Sequence, residues 1–439
     1  MSVGLLRFLT AGSVDDGKST LIGRLLVDAR GAFEDQVSAA QRDNERRGGK
    51  GIDFALLTDG LKAEREQGIT IDVAYRYFST EKRKFIIADA PGHEQYTRNM
   101  ATGASTADLA LILVDARQGL VTQSRRHAFI AHLLGIRHVV VVVNKMDLVS
   151  YSQERYEEIC REFQVFFRRL DPIDLRFIPI SALLGDMVVQ RGPNLAWYEG
   201  PTLMETLETI EVDRREASDL RFPIQSVNRP PTRELTDFRG YMGRIASGRV
   251  RVGQPVVVLP AGLHTEVTRI ITFDGDLPCA VAGQSVMLTL AGDLDAGRGD
   301  LIAGIENAPA PRRAFQATVC WMSPRPMKTG TKYLLRHTTR RVRALVAELH
   351  YRIDPNTLEK QTGVSELRQN DIARVSIKTL QPIVCDAYRD NRETGGFILI
   401  DEANDTAAAG FIEPLPPSDW QPVVHEEVKD TPTWVGRDI

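Results

Sequence analysis

Gly12-Ser13-Val14-Asp15-Asp16-Gly17-Lys18-Ser19 fits the pattern G-x-x-x-x-G-K-[ST], and a helical stretch starts at Thr20. This spacing suits a polyphosphate. The glycines let the backbone curl until the successive N–H groups of Ser13, Val14, Asp15 and Asp16, and the following helix N-terminus, face the ligand. Lys18 can then reach the outer phosphates, while the Ser19 hydroxyl can ligate Mg²⁺. Alone, the segment says nucleoside triphosphate and leaves the base open.

Later residues narrow the chemistry. Asp89-Ala90-Pro91-Gly92 closes an apolar run; there a carboxylate can hold Mg²⁺ through water, and the Gly92 N–H can bond a γ-phosphate and swing away once it is gone. His93 follows directly, where an imidazole can position the water that attacks the γ-phosphorus in line. Thr70, in Gly68-Ile69-Thr70-Ile71 after a long polar segment, is placed to complete the Mg²⁺ shell. Asn144-Lys145-Met146-Asp147 follows another apolar run. Asp147 would accept from the guanine N1–H and 2-amino group, Asn144 would bond the other edge of the base, and the Lys145 stem would lie along the ring. The N–H groups of Ser181, Ala182 and Leu183 would meet the guanine O6. Adenine would leave a buried carboxylate unpaired, enough for rejection by roughly 10⁴ to 10⁵. The ligand expected is GTP with Mg²⁺, and the residues expected to act in its hydrolysis are Lys18, Thr70, Gly92 and His93. No arginine can be assigned as a finger in cis, so unassisted hydrolysis should be slow. His127 and His132, on one helical stretch, read as structural.

The elements needed to hold these residues are legible too. Leu5 to Leu9, Lys84 to Ala88, Leu109 to Val114 and Val139 to Val143 are apolar runs without polar alternation, as in strands buried on both faces. Helical stretches at Thr20 to Asp28 and Gln123 to Leu134 separate them. The rhythm implies an α/β domain with a mostly parallel sheet, its ligands at the carboxyl ends of the strands. After a helix from about Thr202 to Glu211 the texture changes to short alternating segments punctuated by Gly, Pro, Asp and Asn, as in antiparallel β-barrels. The expected division is a GTP-binding domain over 1–215, barrels over 220–307 and 313–415, and a tail or linker over 416–439. Arg42 to Gly51 reads as a polar loop of the first domain.

Composition bounds the rest. A chain of 439 residues, 43% of them hydrophobic, calls for several domains. With 55 basic against 58 acidic side chains, a net charge of −3 offers no global attraction to nucleic acid. The four cysteines have no metal-type spacing and read as thiols of a reducing cytosol. No apolar run approaches a membrane span, so the expected place is the cytoplasm, with neither membrane nor nucleic acid as a partner.

Taken together, the motifs resemble the elongation-factor branch of GTPases. Within it, Gly12 to Leu26, Asp59 to Thr106 and Gln123 to Leu148 are similar to the large, GTP-hydrolysing subunit of bacterial sulfate adenylyltransferase. Ala90 stands where that family usually has threonine, and Asp16 where elongation factors usually have histidine. The resemblance implies a hetero-oligomer with a smaller catalytic subunit that binds ATP and sulfate and forms adenosine 5′-phosphosulfate and pyrophosphate, a nucleotidyltransferase reaction that GTP hydrolysis would drive. Some relatives carry a C-terminal kinase with its own P-loop; no second such motif occurs here, which implies the stand-alone form or a chain that ends before that domain. The alternative is an elongation-factor-like carrier of aminoacyl-tRNA.

Overall fold

The computed structural model describes residues 4–29, 41, 54–57, 73–90, 106–170, 174–212, 219–229 and 238–417. The chain divides into two compact units, Met1–Asp213 with Ile353–Lys360, and Arg214–Arg352 with Gln361–Ile439.

The first unit is built on strands β1 (Gly4–Ala11), β2 (Ala74–Ser79), β3 (Arg83–Asp89), β4 (Leu109–Asp115), β5 (His138–Asn144) and β6 (Asp174–Pro179). They form one sheet in the order β2-β3-β1-β4-β5-β6. Only the edge strand β2 runs antiparallel. Every residue of β4 is buried, as expected of a parallel strand covered on both faces. The apolar runs in the sequence are the cores of these strands, and β3, β4 and β5 each close on a polar residue: Asp89, Asp115 and Asn144. The sheet therefore delivers three chemically competent side chains to one edge.

Helix α1 (Lys18–Asp28) begins two residues earlier than the sequence pattern suggests, because Gly17 at φ +90° turns the loop directly into it. Helices α2 (Thr122–Leu133), α3 (Gln153–Phe167) and α4 (Leu203–Thr209) follow. Thr202 and Glu205 form a reciprocal capping box at the start of α4, which ends short of Glu211.

The second unit holds two closed barrels. In one, the strands Arg221–Asn228, Gly240–Arg244, Pro255–Leu259, Leu263–Thr272, Ser285–Leu290 and Leu301–Gly304 pair antiparallel, and Pro255–Leu259 bonds Leu263–Thr272 to close the circuit. Its interior is filled by Phe222, Tyr241, Val256, Leu288 and Ile302. In the other, Pro311–Trp321, Lys332–His337, Arg340–Ile353, Ile372–Val384, Gly396–Ile400 and Thr406–Ile412 do the same around Phe315, Trp321, Leu335, Val375 and Phe397. Closure removes the unpaired edges that short strands would otherwise expose. No described helix is long and apolar enough to cross a membrane.

Candidate nucleotide site

The phosphate loop leaves β1 and enters α1 with no room for larger residues at its glycines. A Cβ on Gly12 would come within 2.9 Å of the Leu113 carbonyl oxygen, and one on Gly17 within 2.4 Å of Asn144 Nδ2. Gly17 also needs its left-handed φ, which an L side chain rarely adopts. Lys18 is buried, and its Nζ donates to the carbonyls of Gly12 and Ser13, both at 2.9 Å. Burial pushes its ammonium below the usual lysine range, while Asp89, Asp16 and Asp15 pull the other way. Two of its three protons are used on the loop, so one remains to meet an outer phosphate.

Asp16 behaves unlike a solvated loop carboxylate. It is 2% exposed, its Oδ2 accepts from the Ser13 N–H, and burial pushes its pKa up to about 6 against the opposing pull of Lys18. With the Asp16 N–H donating to the Ser13 carbonyl at 3.4 Å, two loop N–H groups are thus engaged internally. Asp89, also buried, accepts from Thr10 Oγ1 at 3.0 Å, Thr10 being its neighbour on β1. The Ser19 hydroxyl and the Asp89 carboxylate are hard oxygen donors of the kind Mg²⁺ prefers. Thr70, Pro91, Gly92 and His93 lie outside the described residues, while Ala90 is buried at the end of β3.

At the other end of the site, Asn144 has a job the sequence did not suggest. Its Nδ2 donates to the Asp16 carbonyl at 2.8 Å, and its Oδ1 accepts from the Ala182 N–H at 3.0 Å. Asn144 therefore ties the phosphate loop to the Ser181–Leu183 turn, and the second hydrogen of Nδ2 is the donor it keeps for a base edge. Nor are the three N–H groups of that turn equivalent. Ser181 N–H donates to the Asp186 carbonyl and Ala182 N–H to Asn144, leaving the Leu183 N–H as the one without a partner among the described residues. Asp147 accepts from Ser181 Oγ at 2.7 Å through Oδ1, with Oδ2 open among the described residues.

Two positioning residues escaped the sequence reading. Asp115, at the end of β4, has a fully buried side chain and pairs with Lys145 Nζ at 3.0 Å and Arg117 Nη2 at 2.6 Å. Burial alone would raise its carboxyl, but hydrogen bonds from Arg117 and Lys145 outweigh it and hold the pKa at about 2. Lys145 sits at φ +62° with its far end anchored, which stretches its stem. The available signal was an aspartate ending a wholly apolar strand, the same signal that marked Asp89. Arg24, on α1, lies 4.2 Å over the Phe54 ring and donates to the Ala182 and Leu183 carbonyls; nothing in the sequence distinguished it from a solvated helix arginine. His127 is buried and neutral, its pKa pushed down to about 3 by burial and by the charge of Lys18.

The arrangement offers a glycine-shaped phosphate cradle with a buried cation, oxygen ligands for a divalent ion, and a carboxylate with a free N–H where a guanine presents its donors and O6. Comparison with known proteins agrees. Residues 4–212 match the elongation factor Tu GTP binding domain, residues 241–303 elongation factor Tu domain 2, and residues 314–413 the GTP-eEF1A C-terminal domain-like family. Among solved structures, sup35 complexed with GDP is 25% identical with a TM-score of 0.43, covering 94% of this chain and 95% of that one. The GMPPNP complex of sup35 is 25% identical with a TM-score of 0.44, covering 95% and 96%. The chain binds GTP through a first domain, residues 4–212, of the elongation factor Tu GTP-binding type, followed by two domains that match elongation-factor families.

Proposed function

We propose that this GTPase is the energy-coupling subunit of a sulfate adenylyltransferase, in which its GTP hydrolysis drives a smaller subunit to form adenosine 5′-phosphosulfate and pyrophosphate from ATP and sulfate. The observation that carries the reading is the likeness of the phrases Gly12 to Leu26, Asp59 to Thr106 and Gln123 to Leu148 to that subunit. Asp16 supports it, since elongation factors usually have histidine at that place and the structure gives the carboxylate a built-in partner in Ser13.

In this reading the phosphate-loop N–H groups and Lys18 hold the triphosphate, and the open oxygen of Asp147 with the Leu183 N–H selects guanine. Mg²⁺, held by Ser19 and Thr70 and through water by Asp89, would neutralise charge between the β- and γ-phosphates. His93 would orient the attacking water, and the Gly92 N–H would report the loss of the γ-phosphate. Adenylyl transfer belongs to the partner, in a cytoplasmic hetero-oligomer.

A translation-factor role as a carrier of aminoacyl-tRNA is the second reading, favoured by the descriptions of the matching family models. One experiment separates them: GTP turnover with the smaller subunit, with and without ATP and sulfate, beside binding of charged tRNA. Turnover that rises with ATP and sulfate, without tight tRNA binding, supports the first reading. Turnover indifferent to both substrates, with tight tRNA binding, overturns it.

A further inference from the structure

Within the second unit, a cleft of about 480 Å³ lies between the two barrels and is lined by Arg244, Arg298, Arg336, Thr338, Thr339 and Glu393, among others. That volume is in the range of small-molecule sites, roughly 300 to 1,000 Å³. Three arginines and a single carboxylate line it, all four exposed to solvent, and among the described residues none of the three arginines is ion-paired. Arg298 Nη1 donates to the Gln225 carbonyl at 2.9 Å and Arg244 Nε to the Gly283 carbonyl at 3.1 Å, which fixes one side of each fork and leaves the rest for a ligand.

The backbone at the cleft gives an independent sign. Thr338 and Thr339 form the two-residue turn between Lys332–His337 and Arg340–Ile353, and Thr338 adopts φ +47°. A β-branched residue is a genuine outlier there, at a position where hairpins of this length favour glycine or asparagine. The turn is pinned on both sides: buried His337 meets the Thr394 carbonyl through Nε2 at 2.7 Å, and Arg340 Nη1 donates to Asp300 Oδ1 at 3.1 Å. Thr339 Oγ1 is buried without a hydrogen-bond partner. Strain maintained by its surroundings next to unsatisfied polar groups is the pattern of a pre-organised binding site.

We infer that this cleft is a second anion site, separate from the phosphate loop, that takes a small ligand bearing phosphate or sulfate oxyanions, either free or carried on a nucleotide. Arginine's planar fork matches such groups two oxygens at a time. The inference rests on the cleft alone and stands whichever reaction the GTPase drives.

Calorimetric titration of the full-length protein, with the phosphate loop saturated by GDP and Mg²⁺, provides the test. Pyrophosphate and adenosine diphosphate serve as the two probes. Saturable binding of either one, weakened at least about tenfold in Arg336→Ala and in Arg244→Gln with GDP affinity unchanged, is the expected result. Preference for pyrophosphate would identify a free oxyanion site, and preference for the diphosphate a nucleotide site. Failure of both probes, binding that the arginine variants leave untouched, or duplex RNA binding while both probes fail would each overturn the inference.

Discussion

In the proposed reading Asp147 selects the base through one open carboxylate oxygen, so its chemistry should be transferable. In Asp147→Asn the amide can donate where the carboxylate could only accept, and preference should move from GTP toward xanthosine triphosphate, measured by competition for a fluorescent guanine nucleotide. A variant that still prefers GTP would show that the base contact lies elsewhere. Asp16 makes a second, pH-dependent prediction. Burial raises its pKa from 3.8 to about 6 in the folded protein, so folding favours the protonated form. The stabilisation is whole below about pH 4 and is lost as pH rises through 6, a swing of about 3 kcal/mol. Asp16→Asn keeps an acceptor for the Ser13 N–H without the charge. Relative to it, the nucleotide-free parent should lose stability between pH 4 and 7 in denaturant titrations, and parallel curves would refute the assignment. The motif residues were legible because their spacing is set by ligand chemistry. Asp115, Arg24 and the double engagement of Asn144 were not, because they act on other residues and their partners lie far away in sequence.

At the scale of elements, the sheet explains why the motifs occur where they do. β3, β4 and β5 run parallel and end at one edge, and each places its last side chain there. Strand existence could be read from unbroken apolar runs, since burial on both faces leaves no alternation to mislead. Boundaries were harder. The start of α1 depends on the left-handed Gly17, a property of the loop's backbone and not of helix periodicity. Gly17→Ala tests that dependence: the added Cβ would meet Asn144 Nδ2, and the backbone would have to leave its left-handed region. GTP affinity should fall at least about a hundredfold, the combined effect of strain and steric conflict, roughly 3 kcal/mol. Equilibrium dialysis with labelled GTP measures it, and near-normal affinity would mean that the loop rebuilds itself.

For the second unit as a whole, the barrels are joined by polar contacts. Arg221, 5% exposed in its side chain, forms a two-pronged pair with Asp386 at 2.9 and 3.0 Å and also donates to the Asn307 carbonyl. Asn391 Nδ2 donates to Ser247 Oγ at 2.9 Å. Barrel texture could be read from the alternating segments, but these ties could not, because a lone arginine at the start of a strand carries no mark of its partner. Removing one member should be costly. Asp386→Ala leaves the buried guanidinium with only Asp219, at 4.0 Å, as a counter-charge, and a loss of about 3 kcal/mol is expected. Scanning calorimetry should then resolve separate transitions for the two barrels where the parent shows one, and an unshifted single transition would show that apolar contacts suffice.

Asn144 spans from the carbonyl of Asp16 to the amide of Ala182, so the turn proposed to read the base and the loop proposed to grip the phosphates share one side chain. A nucleotide with the wrong base would still be captured by its phosphates, but it would leave the Ser181–Leu183 turn unsettled and slacken the loop through that shared link. Discrimination would then be a matter of residence time. In stopped-flow measurements, ATP and GTP should associate at similar rates, with nearly all of the selectivity lying in how quickly ATP departs.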